Sequence, residues 1–594
     1  MKSIKDYYNA VKFSLSLSFR YVPKETVLVF IIFIISGFIP YLSVYLLGKL
    51  VNSVVAVTNG VNQNIWYFVI LYSLVNALPN IIGNMQKFLN RTRMIKFQME
   101  TSIEFWKKRE SIDIATYENP TFQDLLQRTF RNGLSPIFQI TFAQLDTLRA
   151  LTSFILGTII AINFSPLIYF VIILTAIPSF ISDVKYAGIF WSIWAKDSPE
   201  QRKLVDLQQH ITSRIPLIET KLLQSGNKII TMIRKIFSDF NIKQFGVEKN
   251  RVLKTTFTDS IALAGFLFGL VLVVKNSLGV ETQVGNLIYI IGTLAAVRKS
   301  VSDMLDSISS QYENSLIIGD MVTFLKTKPV ITESENPIKL SLTSAPEIIF
   351  ENVGFKYQGS DKWSLRNVNL TFKAGDNIGL VGNNGAGKTT LVKLICRIYD
   401  PTEGKILVNG VDLKEISTKE WWSYMAVMFQ DYASYDFLVK EAIAISRPDK
   451  AVNLTKVIDA SKVAQSHDFI MEWKDKYDEQ LGVEFKGKEP SKGQRQKLSI
   501  AKTLYRDGFV MILDEPTASV DAESEAKIFD SIENLPKDRT AILISHDFST
   551  ISQCDKIFVI DKGTLVEEGN HKELMAQKGM YSELYNLQAK RFKK

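Results

Sequence analysis

Eight consecutive residues, Gly382, Asn383, Asn384, Gly385, Ala386, Gly387, Lys388 and Thr389, have the composition of a loop that wraps phosphate. Glycines let backbone N–H groups turn inward around anionic oxygens, and the partial positive charge at a helix start adds to the attraction. The apolar run Asn377–Val381 reads as a strand entering the loop, and Thr390–Arg397 as the helix leaving it. That strand–loop–helix context is what the phosphate-loop motif requires. It implies that Lys388 reaches the β- and γ-phosphates of ATP and that the Thr389 hydroxyl ligates Mg²⁺. A second apolar stretch, Phe509–Leu513, ends in Asp514 and Glu515. Parallel strands place ligand-binding residues at their carboxyl ends. Asp514 is expected to hold Mg²⁺ through water, and Glu515 to polarise the attacking water. Alone, such a stretch is often a strand before a solvated turn; the upstream phosphate loop favours the chemical reading.

These residues need a scaffold, and the chain is long enough for two to four domains at 594 residues. Its average composition, 46% hydrophobic and 22% charged, looks globular. The halves differ. Long apolar runs lie between Thr26 and Val297, whereas the chain from Ile348 onward has the composition of a soluble α/β domain. Six runs, at 27–47, 65–82, 142–162, 166–181, 261–274 and 284–297, are candidates for bilayer-spanning helices. The last two need polar flanks to reach full length. Met1–Lys24 is charged and mixed, and the run after it is too long for a signal-peptide core. The expected division is a transmembrane domain at 1–329, a linker at 330–345 and an ATPase domain at 346–594.

The formal net charge of +9 raises nucleic acid as a partner, but no basic stripe with interleaved aromatics appears, so none is expected. Membrane topology accounts for the charge instead. The stretch 86–140 holds nine Lys/Arg against six Asp/Glu, and 182–256 holds thirteen against seven. The connections on the other side are short and nearly uncharged. Basic connections stay in the cytoplasm, which places the N-terminus and the ATPase domain there. Both basic stretches are too long for simple loops and read as helical extensions. Tyr117–Phe122, with Pro120, breaks the first. Phe240–Gly246 is expected near a bend in the second. Both are candidate contacts with the ATPase domain. The segment Thr332–Pro337 reads as flexible. The two cysteines, Cys396 and Cys554, lie in the soluble half and fit a reducing cytosol. His210, His467 and His571 stand outside any motif.

The chain resembles, over almost its whole length and most specifically in Ile348–Gly569, an ABC transporter of the exporter type, with one membrane domain fused to one nucleotide-binding domain. The resemblance implies an all-α six-helix transmembrane domain with long cytoplasmic extensions, then an α/β phosphate-loop ATPase. Tyr357 matches the aromatic that stacks on adenine. Thr390 belongs to the phosphate site. Gln430 matches the glutamine that senses Mg²⁺ and water. His546, after Ser545, matches the switch histidine that contacts the γ-phosphate. Ser519–Asp521 matches the loop that crosses the dimer interface. Pro490–Gln494 occupies the signature position, with Ser491, Gly493 and Gln494 facing the partner subunit's ATP. Here the sequence departs from the family. Lys492 replaces a glycine, which can hinder close backbone approach or add charge beside phosphate. An altered signature beside an intact Glu515 is also the pattern of one subunit in certain heterodimers; a homodimer is the favoured reading. The segments Phe429–Tyr435 and Tyr117–Phe122 are similar to those of bacterial exporters of ribosomal peptides such as lantibiotics. The cargo is therefore expected to be a peptide, with lipid or glycan flipping, multidrug efflux and an ATP-gated sensor or immunity role as alternatives. No cysteine precedes Cys396, so no cysteine peptidase is expected to cut a leader.

Overall fold

Apolar sequence over many helical turns gives the N-terminal unit its form. The computed structural model describes residues 2–130, 133–196, 198–277, 283–533, 536–545 and 547–592. The first eleven helices in chain order are α1 (Lys2–Tyr21), α2 (Pro23–Thr58), α3 (Ile65–Glu110), α4 (Ile114–Tyr117), α5 (Pro120–Phe130), α6 (Ser135–Phe164), α7 (Pro166–Lys196), α8 (Ser198–Thr212), α9 (Arg214–Leu222), α10 (Gly226–Ser277) and α11 (Val284–Lys326). Six of them, α2, α3, α6, α7, α10 and α11, are long and apolar enough to cross a membrane, and each contains one of the expected runs. Their apolar residues are not hidden: Ile70 is 59% exposed, Leu174 69% and Val271 63%. A helix that is apolar on its outer face suits lipid there, because water would penalise that surface and the helix pairs its own backbone groups where lipid offers no partner. Small residues let these helices approach. A Cβ on Gly285 would stand 1.9 Å from the Gly48 carbonyl oxygen, and one on Gly37 would stand 2.9 Å from that of Arg149.

The long helical extensions form as expected, since α3 and α10 run for 46 and 52 residues. No break falls at Phe240–Gly246, the segment expected near a bend; it lies within α10. A single helical glycine costs only about 1 kcal/mol relative to alanine, too little to end a long helix. The breaks fall earlier, at Ser213 and at Leu223–Ser225, where Gln224 has φ +52°.

The chain divides by contacts into residues 1–112 with 120–328, and residues 113–119 with 329–594. In the second unit, β1 (Ile348–Phe355), β2 (Leu365–Phe372), β4 (Glu403–Val408) and β5 (Val411–Asp412) form an antiparallel sheet in the order β2-β1-β4-β5. A second sheet runs β10-β9-β3-β8-β7-β6, from β3 (Asn377–Val381), β6 (Met425–Met428), β7 (Val510–Asp514), β8 (Thr540–Ile544), β9 (Lys556–Asp561) and β10 (Thr564–Gly569). All its pairs are parallel except β9 with β10. Every residue of β7 and β8 is buried, as parallel strands covered on both faces require. Met511, Leu513 and Leu543 enter one apolar core, and Ile512, Ile542 and Ile544 the other.

The expected flexible connector is pinned instead. The Ile338 N–H donates to Glu415 O at 2.8 Å, Arg397 Nη2 donates to Thr332 O at 3.2 Å, and Glu333 accepts from the Thr418 N–H at 3.1 Å. Its proline and polar residues read locally as flexible, but their partners lie about 65 to 85 residues away, beyond what local composition records.

Candidate functional site

The carboxyl ends of β3 and β7 bring the chemistry-bearing residues together. β3 feeds the loop Gly382–Gly387, and α12 (Lys388–Ile395) leaves it. The loop's shape demands glycine. A Cβ on Gly382 would stand 2.1 Å from the Ile560 carbonyl oxygen, and Gly387 holds φ +110° as the residue before the helix. The Gly563 N–H donates to Ala386 O at 3.0 Å and braces the loop against the β9–β10 turn. Lys388 is buried, and its ammonium donates to Gly382 O at 2.8 Å and to Asn383 O at 3.2 Å. Burial holds its pKa below the usual lysine value, while Asp514 and Glu515 oppose that shift.

Thr389 Oγ1 donates to Asp514 Oδ2 at 3.2 Å, and Asp514 is 1% exposed at the end of β7. The next residue, Glu515, has φ +50° and donates its N–H to Ile544 O at 2.8 Å. A non-glycine residue in the left-handed region is a local strain held by its surroundings. Gln430 Nε2 donates to Glu515 Oε2 at 2.8 Å. The Tyr357 hydroxyl shares a 3.1 Å hydrogen bond with Thr390 Oγ1. A cavity of about 760 Å³ joins these groups. Tyr357, Asn384, Gly385, Ala386, Gly387, Lys388, Thr389, Thr390, Gln430, Asp514 and Glu515 all line it. Hydroxyl, carboxylate and amide oxygens converge there, a hard donor set of the kind Mg²⁺ takes.

The ABC transporter profile matches residues 365–518, which span the phosphate loop, the segment Pro490–Gln494 and Asp514–Glu515. A solved structure of a bacterial Atm1-family ABC exporter with ATP bound superposes with a TM-score of 0.82, covering 96% of this chain and 99% of that one at 21% identity. The chain is an ABC transporter of the exporter fold. This transporter is 26% identical to the subtilin transport ATP-binding protein SpaT of Bacillus subtilis, over 93% of this chain and 89% of that one. It is 22% identical to the nisin transport ATP-binding protein NisT of Lactococcus lactis subsp. lactis, over 96% and 95%. It is 30% identical to the putative multidrug export ATP-binding/permease protein YgaD of B. subtilis strain 168, over 65% and 66%. It binds ATP and couples its hydrolysis to export across a membrane.

The remaining expected residues of the transporter lie elsewhere. Ser491, Gly493, Gln494 and Asp521 do not line the cavity. Ser491 caps the helix Lys492–Arg506: its Oγ accepts the Gln494 N–H at 3.2 Å, and Gln494 Oε1 accepts the Ser491 N–H at 2.9 Å. Lys492 is exposed on the first turn. A Cβ on Gly493 would stand 2.6 Å from Ser519 O, so this glycine seats the helix start against the Ser519–Asp521 loop. The Ser524 N–H, and after it the Lys497 ammonium 3.0 Å away, keep the Asp521 carboxyl well below the usual range. His546 lies outside the described residues. Sequence reasoning missed Gln496, which donates to Glu515 O at 3.2 Å and accepts the Ser519 N–H at 2.8 Å. It also missed Lys362 and Trp363 on the cavity wall. The cue for Gln496 was its place two residues past the signature, on the same helix.

Proposed function

We propose that this transporter works as a homodimer and exports a peptide from the cytoplasm. The observation that carries the peptide cargo is the near full-length match to SpaT and NisT, relatives named for the transport of the bacteriocins subtilin and nisin. The domain division proposed is a transmembrane domain at 1–329, a connector at 330–345 and an ATPase domain at 346–594. The N-terminus and the ATPase domain face the cytoplasm, because the two long connections carry the excess of Lys and Arg.

Each ATP site is built from two copies. One copy supplies Tyr357 for adenine, the loop Gly382–Thr389 with Thr390 for phosphate, and Thr389, Asp514 and Gln430 toward Mg²⁺. Mg²⁺ would neutralise developing charge on the phosphates. Glu515 accepts a proton from the attacking water, and Gln430, already bonded to it, fixes its direction. His546 is assigned to the γ-phosphate. The second copy supplies Ser491, Gly493 and Gln494, with Asp521 at the junction. These four lie off the cavity within one copy, which is the arrangement a completing partner requires. The Ser491 hydroxyl accepts the Gln494 N–H through its oxygen and keeps its own proton for a phosphate oxygen. Lys492, exposed beside it, adds positive charge there. The altered signature is therefore functional in a homodimer.

ATP closes the two ATPase domains, and the export cycle follows if ATP binds the closed state more tightly than the open one. The test is ATPase activity and peptide uptake into inverted vesicles by the chain purified alone. Vigorous turnover, lowered roughly 100-fold or more by Glu515→Gln as loss of a general base implies, supports the homodimer. Turnover that appears only with a second half-transporter sinks it. Uptake of an aromatic dye and not of peptide would move the cargo to multidrug efflux, the activity for which YgaD is named.

A further inference from the structure

The membrane unit holds a cavity of about 350 Å³ among α2, α3, α6 and α11. Its position follows from helix geometry. Asn76 lies 11 residues into α3, Lys299 lies 15 into α11, and Ser36 lies 22 before the end of α2. At ~1.5 Å per residue these are about 17, 22 and 33 Å from the short-connection ends. A hydrocarbon layer is about 30 Å thick, so most of the cavity lies at membrane depth.

Its walls are unusual for that depth. Ser36, Ser43, Asn76, Gln86, Ser153 and Ser300 supply hydroxyls and amides. Arg149, Lys299 and Asp303 supply charge, and no aromatic residue stands among the described lining residues. The charges are matched. Asp303 lies 2.6 Å from Lys299 and 3.7 Å from Arg149, and Asp146 lies 3.4 Å from Arg149. Polar and ionisable groups at membrane depth are costly and are retained where they line a pathway or bind.

The lining includes two prolines inside helices, Pro40 of α2 and Pro79 of α3. A proline has no N–H for the carbonyl four residues earlier. The Ser36 and Val75 carbonyls thus lose that donor, and Ser36 itself lines the cavity. The side chains are loosely committed to one another: Gln86 Nε2 to Ser36 Oγ is 3.5 Å, and Ser43 Oγ to Asn76 Oδ1 is 3.2 Å. Helix–helix glue would spend its polar groups across the interface. Here three bond their own helices, Asn76 Nδ2 to Tyr72 O at 2.9 Å, Ser36 Oγ to Phe33 O at 2.7 Å and Ser300 Oγ to Val297 O at 2.8 Å, and their remaining capacity borders about 350 Å³ of space.

We infer that this cavity is a docking subsite for a hydrophilic, extended peptide segment, recognised by hydrogen bonds from its backbone and hydroxyl or amide side chains. It rests on the peptide-export reading and deepens it. The balanced charges leave hydrogen-bonding capacity, and not net charge, as the basis of selection. An apolar aromatic drug or a lipid chain would leave the remaining donors and acceptors of these side chains unmet, which costs free energy for each group.

The test measures binding, so it does not depend on transport. The full chain in lipid nanodiscs is titrated with a labelled decapeptide of glycine, serine and asparagine, with rhodamine 6G, and with a short-chain phosphatidylglycerol. The expected result is saturable decapeptide binding that weakens at least tenfold in Asn76→Leu and in Gln86→Leu. Gln86→Met, unbranched and close in length, serves if either variant fails to fold, as judged by its melting curve. Decapeptide binding unchanged within twofold in the folded variants overturns the subsite and leaves peptide export standing. Binding of the dye or the lipid in place of the decapeptide, lost in the same variants, overturns the ligand assigned here and the peptide-export reading with it.

Discussion

Glu515 sits at φ +50° immediately after the last buried residue of β7, held by its N–H bond to Ile544 and by Gln430 on its carboxylate. Such a conformation survives only when neighbours over-determine it. Gln430→Ala removes one of those neighbours and leaves the carboxylate in place. Its expected effect is a roughly tenfold or greater fall in kcat with little change in ATP affinity, as for loss of a group that aligns a base; an unchanged kcat would show that Gln430 does not orient Glu515. Gly382 offers a second test. An added Cβ would collide with the Ile560 carbonyl at 2.1 Å, and backbone cannot swing aside as a side-chain tip can. Gly382→Ala is expected to cost on the order of 2 kcal/mol and to lower the melting temperature of the ATPase unit by several degrees. Differential scanning calorimetry checks it. At this scale the phosphate loop and Asp514–Glu515 were legible because strand, loop and ligand groups are contiguous in the chain. Gln496 and Trp363 were not, because what places them at the site is a hydrogen bond or a wall formed across long sequence separations.

Among the elements, α4 tests how the chain between two membrane helices is tied to the ATPase unit, to which residues 113–119 belong by their contacts. Asp113 caps α4: its Oδ1 accepts the Thr116 N–H at 2.6 Å, and its Oδ2 accepts the Val330 N–H at 2.7 Å. Glu118 accepts from the Tyr399 hydroxyl and lies 3.9 Å from Lys393. Tyr399 in turn meets Tyr357 edge-on with ring centroids 5.4 Å apart. The residue assigned to adenine is thus one aromatic contact from the residue that anchors α4. Asp113→Ala is expected to cost about 1–2 kcal/mol of local stability through the lost cap. Glu118→Ala is expected to abolish cargo stimulation of ATPase while basal turnover stays within about twofold; stimulation equal to that of the parent would exclude α4 as a coupling element. Hydropathy made the six long helices legible, and Pro120 marked the break before α5. The break at Ser213 went unread although Pro216 stands in the first turn of α9, the one at Gln224 has no proline to mark it, and Gly246 was too weak a signal to end α10.

For the whole molecule, the question is whether a second copy completes the site, because the cavity and the Ser491–Gln494 segment occupy separate places on the ATPase unit. Sequence spacing could show both segments but not their separation, which depends on how the sheet and the helix Lys492–Arg506 pack. The chain suits a cross-linking test. Its two cysteines are buried, at 3% exposure for Cys396 and 6% for Cys554. Burial pushes the Cys554 thiol up to about 12 and Cys396 higher still, so both stay protonated and unreactive at neutral pH. Chains carrying Asn384→Cys, mixed with chains carrying Ser491→Cys, present one thiol at the phosphate loop and one at the signature. If two copies sandwich ATP, oxidation with ATP and Glu515→Gln in both chains yields a covalent dimer that forms only in the mixture. Neither variant alone pairs a loop thiol with a signature thiol, so each serves as the control. A mixture that stays monomeric under those conditions, yet hydrolyses ATP when Glu515 is restored, would show that ATP is turned over without a second copy's signature. In that case Lys492 marks a segment that has left the ATP site.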